Sequence, residues 1–266
     1  MNHLNRGPAP RKRFGQHFLR DMHYIRCIVD AIRPQREDAM LEIGPGRGAL
    51  TLALLPALHV LHAVEFDRDM IAILQAYSDQ GLVLHQADAL RFDYAALSQA
   101  LGKPLRVVGN LPYNISTPLI FHLLAAEQAI ADMHFMLQKE VVDRLAAAPG
   151  GKTYGRLSVM VQLVCRVTPL FQVPPGAFFP PPKVDSRVVR LQPLETPRLS
   201  ADMHDRFSRV VAAAFAQRRK TLSNTLKGLI SYQQIQDCGL DPACRAEQLA
   251  VADFMRLTQQ VSVDIA

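Results

Sequence analysis

Ala39-Met40-Leu41-Glu42-Ile43-Gly44-Pro45-Gly46-Arg47-Gly48 is a short apolar run that ends on glycines at every second position. The apolar part reads as a strand and residues 49–58 as a helix, so the glycines fall in a strand-to-helix turn. Glycine lets such a turn close tightly and lets a ligand approach the backbone. On its own the turn is ambiguous, because Gly44, Gly46 and Ala49 also satisfy the dinucleotide-binding spacing G-x-G-x-x-A.

Outward from the turn the pattern repeats. Residues 60–64, 82–85, 105–108 and 133–137 read as strands, and residues 68–77, 94–101, 118–126 and 139–147 as helices. Before the turn, Ile25, Ile28, Val29 and Ile32 recur on one face of a 3.6-residue period, which predicts a helix over Met22–Ile32. Strands alternating with helices of this length imply βαβ units and a parallel sheet covered on both faces. Residues 157–167 and 187–191, rich in β-branched side chains, read as two late strands at the sheet edge, joined by a Pro- and Phe-dense loop over 169–182. Glu195-Thr196-Pro197 reads as a linker, and only helical patterns follow it. The expected division is an α/β domain over residues 1–195 and a small all-helical domain over 196–266.

Bulk properties narrow the class. A chain of 266 residues with 49% hydrophobic content can bury one sizeable α/β core plus a small appendage. A net charge of +6 suits a polyanionic partner without proving one. Cys27, Cys165, Cys238 and Cys244 are scattered, with no Cys-x-x-Cys pair and no histidines at ligand spacing, which argues against a metal site and for reduced thiols. The first residues have no apolar leader, and Gly7, Pro8 and Pro10 with Arg6, Arg11, Lys12 and Arg13 read as a flexible basic arm. The longest apolar stretch, residues 49–64, is interrupted by Pro56, His59 and His62 and is too short to span a bilayer. A cytoplasmic protein with no membrane partner is expected.

Strand ends then supply chemistry. Glu65 ends the second predicted strand, twenty-one positions after Gly44, where a carboxylate can accept from ribose hydroxyls. Asp67 is free to cap the helix that follows. Asp88, just after the third strand, can accept from the exocyclic amine of an adenine. The fourth strand ends in Asn110-Leu111-Pro112-Tyr113. This motif resembles that of methyltransferases acting on exocyclic amino groups, which implies adenine N6 as the acceptor, a poor nucleophile because its lone pair is delocalised into the ring. The Asn110 side-chain oxygen and the Leu111 carbonyl, aimed at the amine hydrogens, would favour a pyramidal nitrogen. Pro112 restricts Leu111 to an extended geometry, and Tyr113 offers a π-face to the base. Attack on a sulfonium methyl needs alignment more than a strong base. A nicotinamide dehydrogenase would leave this motif unexplained.

The Asn-Leu-Pro-Tyr motif resembles that of methyltransferases acting on exocyclic amines, and further motifs resemble the ribosomal RNA adenine dimethyltransferase family along nearly the whole chain. Arg13-Phe14-Gly15-Gln16-His17-Phe18-Leu19 is similar to that family's N-terminal cofactor motif, with His17 where Asn is frequent. Phe178-Phe179-Pro180-Pro181-Pro182-Lys183-Val184-Asp185-Ser186 is similar to its late aromatic motif, and Gln217-Arg218-Arg219-Lys220-Thr221 to its Arg-Arg-Lys-Thr signature. The resemblance implies a Rossmann-like, S-adenosylmethionine-dependent methyltransferase sheet with a C-terminal helical domain. It implies cofactor contacts from Gln16, His17, Leu19, Gly44, Gly46, Glu65, Asp88 and Asn110. It implies a catalytic set of Asn110, Leu111, Pro112, Tyr113 and Phe178, with Phe179 as rival to Phe178 for stacking on an extruded base. Arg218, Arg219 and Lys220, with Lys139, Arg144 and the stretch holding Lys152, Arg156 and Arg166, are candidates for RNA phosphate contacts. The implied activity is N6,N6-dimethylation of two adjacent adenosines near the 3′ end of small-subunit rRNA, by a monomer acting on an assembling 30S particle. Rival readings are a non-catalytic RNA-binding assembly factor and an adenine N6-methyltransferase for large-subunit rRNA or DNA.

Overall fold

The computed structural model describes residues 16–195 and 199–261, so the basic arm with Arg13, and Thr196 and Pro197 of the expected linker, lie outside the described residues. The described residues begin with a two-residue strand, β1 (Phe18–Leu19), and α1 (Met22–Ile32), whose N-terminus is capped by the Asp21 carboxylate accepting from the His23 amide. The parallel strands follow: β2 (Met40–Ile43), β3 (Leu61–Glu65), β4 (Leu82–Gln86), β5 (Leu105–Asn110) and β6 (Ile130–Gln138). Between them run α2 (Thr51–Leu54), α3 (Arg68–Leu74), α4 (Tyr94–Leu101) and α5 (Ser116–Ala125). Every residue of β2 and β3 is buried, as expected of strands covered on both faces. The remaining elements are α6 (Lys139–Leu145), α7 (Arg156–Gln162), β7 (Cys165–Val173), the short β8 (Phe178–Phe179), β9 (Ser186–Pro193), and the C-terminal helices α8 (Ala201–Ala214), α9 (Leu222–Thr225), α10 (Tyr232–Asp237) and α11 (Val251–Gln259).

The seven-stranded sheet has the order β4-β3-β2-β5-β6-β9-β7, with β9 antiparallel to β6. Strand order reverses between β2 and β5, which opens a crevice at the carboxyl ends of those two strands. A separate antiparallel pair joins β1 to β8, with Phe18 opposite Phe179 and Leu19 opposite Phe178.

Two late elements differ from expectation. Residues 157–162, expected as strand, form α7, whose first turn is closed by the Gly155 amide donating to Ser158 Oγ at 3.1 Å. Leu157 through Val161 are all buried, and a continuous apolar run does not distinguish strand from helix by periodicity. Strand β7 then runs through Pro169 into the stretch expected as a loop, which the sheet tolerates because β7 lies at its edge.

Contacts divide the chain into a unit ending at Val142 and completed by Thr168–Pro193, and a unit of Asp143–Val167 with the chain from Leu194 onward. Residues 143–167, assigned from sequence to the first domain, thus belong with the helical one. Tyr154, Val159 and Met160 share its core with Phe207, Val210, Leu222 and Phe254. The core of the first unit gathers Ile25, Ile28 and Ile32 of α1 with Met40, Leu54, Leu61, Val108, Met136, Phe178 and Val188. Beneath it, the Arg106 guanidinium forks onto Asp132 at 3.0 and 3.1 Å and reaches Asp38 at 2.6 Å. No helix among the described residues is long and apolar enough to cross a membrane.

Candidate active site

The crevice opens into a cavity of about 310 Å³ lined by the ends of β2, β3 and β5 and by residues 16–19 and 87–90. That size suits a small-molecule ligand. The glycine turn forms its floor. Gly44, Gly46 and Gly48 have φ of 65°, 55° and 81°, a region that side-chain-bearing residues rarely enter. A β-carbon at Gly46 would also lie 3.0 Å from Phe18 Cε1, so Phe18 can rest on this turn only because the position is glycine. The Arg47 guanidinium lies 4.7 Å from the centre of the same Phe18 ring.

Glu65 is 8% exposed. Its Oε1 accepts from the amides of Phe66 and Asp67, both at 2.8 Å, and its Oε2 from the Gly46 amide at 3.2 Å. Burial pushes its pKa upward, opposed by these amides and reinforced by Asp67. Of the two oxygens, Oε2 keeps an acceptor site for a hydroxyl, whereas Oε1 is already shared by two amides. Asp67 caps α3 through the Asp69 amide at 3.1 Å and accepts from Gln16 Nε2 at 3.3 Å, which draws residue 16 to the cavity wall. Asp88 lines the cavity and is braced by the Leu90 amide at 2.9 Å.

Asn110, at the end of β5, donates from Nδ2 to the His17 carbonyl at 2.8 Å, which leaves its Oδ1 without a protein partner among the described residues. Leu111 is buried, and its amide donates to the Met136 carbonyl at 3.2 Å. Pro112 and Tyr113 continue the wall. The Tyr113 hydroxyl shares a hydrogen bond with Ser186 Oγ at 2.8 Å, and burial raises its pKa. The catalytic and cofactor candidates from Gln16 to Tyr113 therefore converge on one cavity.

The late phenylalanines do not join them there. Phe178, expected to stack on the base, is 1% exposed and packs in the core, so in this conformation it presents no open ring face. Phe179 is 47% exposed and lies 6.0 Å from the Arg20 guanidinium. Neither is among the described residues lining the cavity. The basic candidates sit elsewhere. Arg218, Arg219 and Lys220 are exposed in the turn between α8 and α9, with Arg218 donating to the Lys152 carbonyl at 2.7 Å and to Glu247 at 3.2 Å. Arg144 is exposed on α6, and Lys139 begins that helix half-buried.

Two cavity residues went unread in the sequence. Glu42 is fully enclosed, accepts from Thr51 Oγ1 at 2.6 Å, and has its pKa raised to about 7, by burial first, with Glu65 adding to it. It lay inside the quoted glycine motif, but nothing in the spacing shows that Thr51 closes over it. His134 is 3% exposed, and neither ring nitrogen has a hydrogen-bond partner among the described residues. The Asp132 carboxylate lies 3.9 Å from its Nδ1, and burial, aided by Arg106 and Arg190, lowers its pKa to about 4, so the ring is neutral.

The donor set fits S-adenosylmethionine. A glycine turn admits close approach, the Glu65 Oε2 can take a hydroxyl, the Asp88 carboxylate can take an amine, and the cavity has the volume for it. Comparisons with known proteins agree. Residues 8–262 match the family described as Ribosomal RNA adenine dimethylase. The chain is 58% identical over 254 residues to the Ribosomal RNA small subunit methyltransferase A of Pseudomonas syringae pv. tomato, covering 95% of this chain and 94% of the relative. It is 56% identical over 262 residues to the protein of that name from Nitrosococcus oceani, covering 97% and 98%. The crystal structure of a dimethyladenosine transferase from Plasmodium falciparum superposes with a TM-score of 0.75 at 28% identity, covering 91% of this chain and 96% of that one. With the cavity, the Asn110–Tyr113 wall and a match along nearly its whole length, the chain belongs to the ribosomal RNA adenine dimethylase family.

Proposed function

We propose that this protein transfers methyl groups from S-adenosylmethionine to N6 of two adjacent adenosines near the 3′ end of small-subunit ribosomal RNA, two per base. It acts as a cytoplasmic monomer on the assembling 30S particle, without a metal. The observation that carries the reading is the wall Asn110–Tyr113 standing in the same cavity as the glycine turn, Glu65 and Asp88. The close relatives' name, small subunit methyltransferase, favours that RNA over large-subunit rRNA or DNA.

Gly44, Gly46, Glu65 and Asp88 would hold the cofactor, with residues 16–19 at its side. Bound, it supplies an electrophilic methyl on a sulfonium. The protein's task is alignment of the target amine. Asn110 Oδ1, set outward by the bond its amide makes to His17, accepts from one N6–H, and the Leu111 carbonyl from the other. Tyr113, anchored by Ser186, supports the base and the positive charge that develops on nitrogen. The cofactor would supply the methyl to the aligned N6 and keep the sulfur as the leaving thioether, and the N6 proton would leave to water. The second transfer needs room for one methyl beside Asn110. Phe179, the exposed ring of the late motif, replaces Phe178 as the aromatic offered to an extruded base. Arg144, Arg218, Arg219, Lys220 and Lys139 provide phosphate contacts.

The test incubates the protein with methyl-labelled S-adenosylmethionine and unmethylated small subunits, with large subunits and DNA in parallel, and identifies the nucleosides by mass spectrometry. N6,N6-dimethyladenosine from small subunits alone, absent with Asn110→Ala, is the expected result. Small subunits bound but unlabelled would establish an assembly factor without catalysis, and label in large subunits or DNA would overturn the substrate.

A further inference from the structure

His17 stands where three otherwise separate parts of the site meet. Its backbone carbonyl accepts the Asn110 amide at 2.8 Å. Its ring lies 5.7 Å from the Tyr113 ring, centre to centre, with the planes 28° apart. Its Nδ1 is 2.8 Å from the Pro180 carbonyl. A carbonyl only accepts, so Nδ1 carries the proton of this bond. Through that bond the residue is tied to the segment just after the β1–β8 pair, where Phe18 opposes Phe179. One residue therefore fixes the amide of Asn110, flanks a face of Tyr113, and fastens both to the loop that carries Phe179.

We propose that His17 is a positioning residue for methyl transfer, acting through Asn110 and Tyr113, beyond any contact it makes to the cofactor. This rests on the reading of Asn110 and Tyr113 as the groups that hold the target adenine. The Asn110 amide has two ends. Donation from Nδ2 to the His17 carbonyl selects the orientation in which Oδ1 faces away from residue 17 and can meet the base. The His17 ring flanks Tyr113 on one side, which favours stacking of a base on the other. The Pro180 bond keeps the ring there, because a histidine without it would swing freely about its first side-chain torsion.

The contacts can be separated by substitution. In His17→Asn the amide nitrogen falls where Nδ1 was, so the bond to Pro180 is kept and the ring on Tyr113 is lost. His17→Phe keeps a ring and loses the bond, and His17→Ala loses both. Each variant is assayed for S-adenosylhomocysteine affinity by calorimetry, for melting temperature, and for methyl transfer to unmethylated small subunits with kcat and KM separated.

For His17→Ala we expect kcat to fall roughly 10- to 100-fold, the scale of a misplaced reacting group. KM for the subunits should change less than about threefold, and S-adenosylhomocysteine affinity, which registers the cofactor contact of residue 17, should fall by clearly less than the rate does. His17→Asn should recover part of the loss. Transfer by His17→Ala within a factor of two of the parent would overturn the proposal, and so would a loss of S-adenosylhomocysteine affinity as large as the loss in rate. Asn110→Ala and Tyr113→Ala run alongside. Full transfer by both would overturn the underlying reading of the site, whereas their failure beside an active His17→Ala would overturn only the role of His17.

Discussion

Glu42→Gln tests the electrostatics of the cavity floor. Glu42 is fully enclosed, with a pKa raised from 4.5 to about 7. A group whose folded pKa lies above its unfolded value contributes its stability below the unfolded pKa and loses it as pH rises through the folded one. The window here runs from pH 4.5 to about 7. Within it, each pH unit withdraws at most about 1.4 kcal/mol, so the total has a ceiling of about 3 kcal/mol. Glutamine keeps an acceptor for Thr51 Oγ1 and has no charge to bury, so the variant should lack this loss. Urea denaturation of both proteins from pH 5 to 9 provides the assay. The variant should match or trail the parent at pH 5 and exceed it by about 2 kcal/mol at pH 8.5, short of the ceiling because burial relaxes on ionisation. The acid limb should survive in both proteins, since His134 has a lowered pKa and costs stability as pH falls below 6.5. Parallel profiles above pH 6 would refute the reasoning, because Glu42 would then be ionised as easily in the fold as outside it.

Gly46→Ala should weaken S-adenosylhomocysteine binding about tenfold, since the new methyl presses on Phe18 in the cavity wall, and its left-handed backbone should separately cost about 1–2 kcal/mol of stability. Gly102→Ala, also left-handed at φ 69° but with open space around it, should cost stability without touching affinity; equal affinities for the two variants would count against Phe18 resting on the turn. Asp132→Asn leaves the half-buried Arg106 guanidinium with the Asp38 carboxylate and the Ile32 and Arg33 carbonyls and should destabilise by about 2–3 kcal/mol in urea denaturation, while a change under about 1 kcal/mol would show the pair to be dispensable. Phe178→Ala should cost about 3–5 kcal/mol as a core cavity, whereas Phe179→Ala should leave stability within about 0.5 kcal/mol and slow transfer. A destabilised Phe179→Ala beside a stable Phe178→Ala would reverse their assignment.

The alternation from β2 to β6 was legible because parallel strands buried on both faces and their crossover helices leave opposite signatures in the apolar pattern. Met22–Ile32 and Tyr94–Leu101 match their predicted bounds. Legibility fails where partners are distant in sequence. Nothing local in residues 157–162 distinguishes strand from helix, because the side chains that bury Val159 and Met160 belong to helices beyond residue 200. The buried place of Phe178 depends on β1, far earlier in the chain, and the alignment that suggested a stacking role carries no burial. Within the site, Glu65, Asp88 and Asn110 were visible as polar residues at strand ends. The enclosure of Glu42 by Thr51 and the unpartnered His134 are packing outcomes with no motif. His17 was noticed for its departure from asparagine, but its three contacts exist only once residues 110, 113 and 180 come together.

The β1–β8 pair has a consequence for the order in which the molecule becomes complete during synthesis. Phe18 and Leu19 emerge from the ribosome early, but their strand partners are Phe179 and Phe178. By then the residues of all five parallel strands, the glycine turn and Asn110 have already been made. A nascent chain halted near residue 150 thus carries every carboxylate of the cavity, yet its first strand has nothing to pair with and His17 has no Pro180 to bond. Translation delivers the clasp of this enzyme after its contents, so ligand-binding competence should switch on late and abruptly along the length of the growing chain.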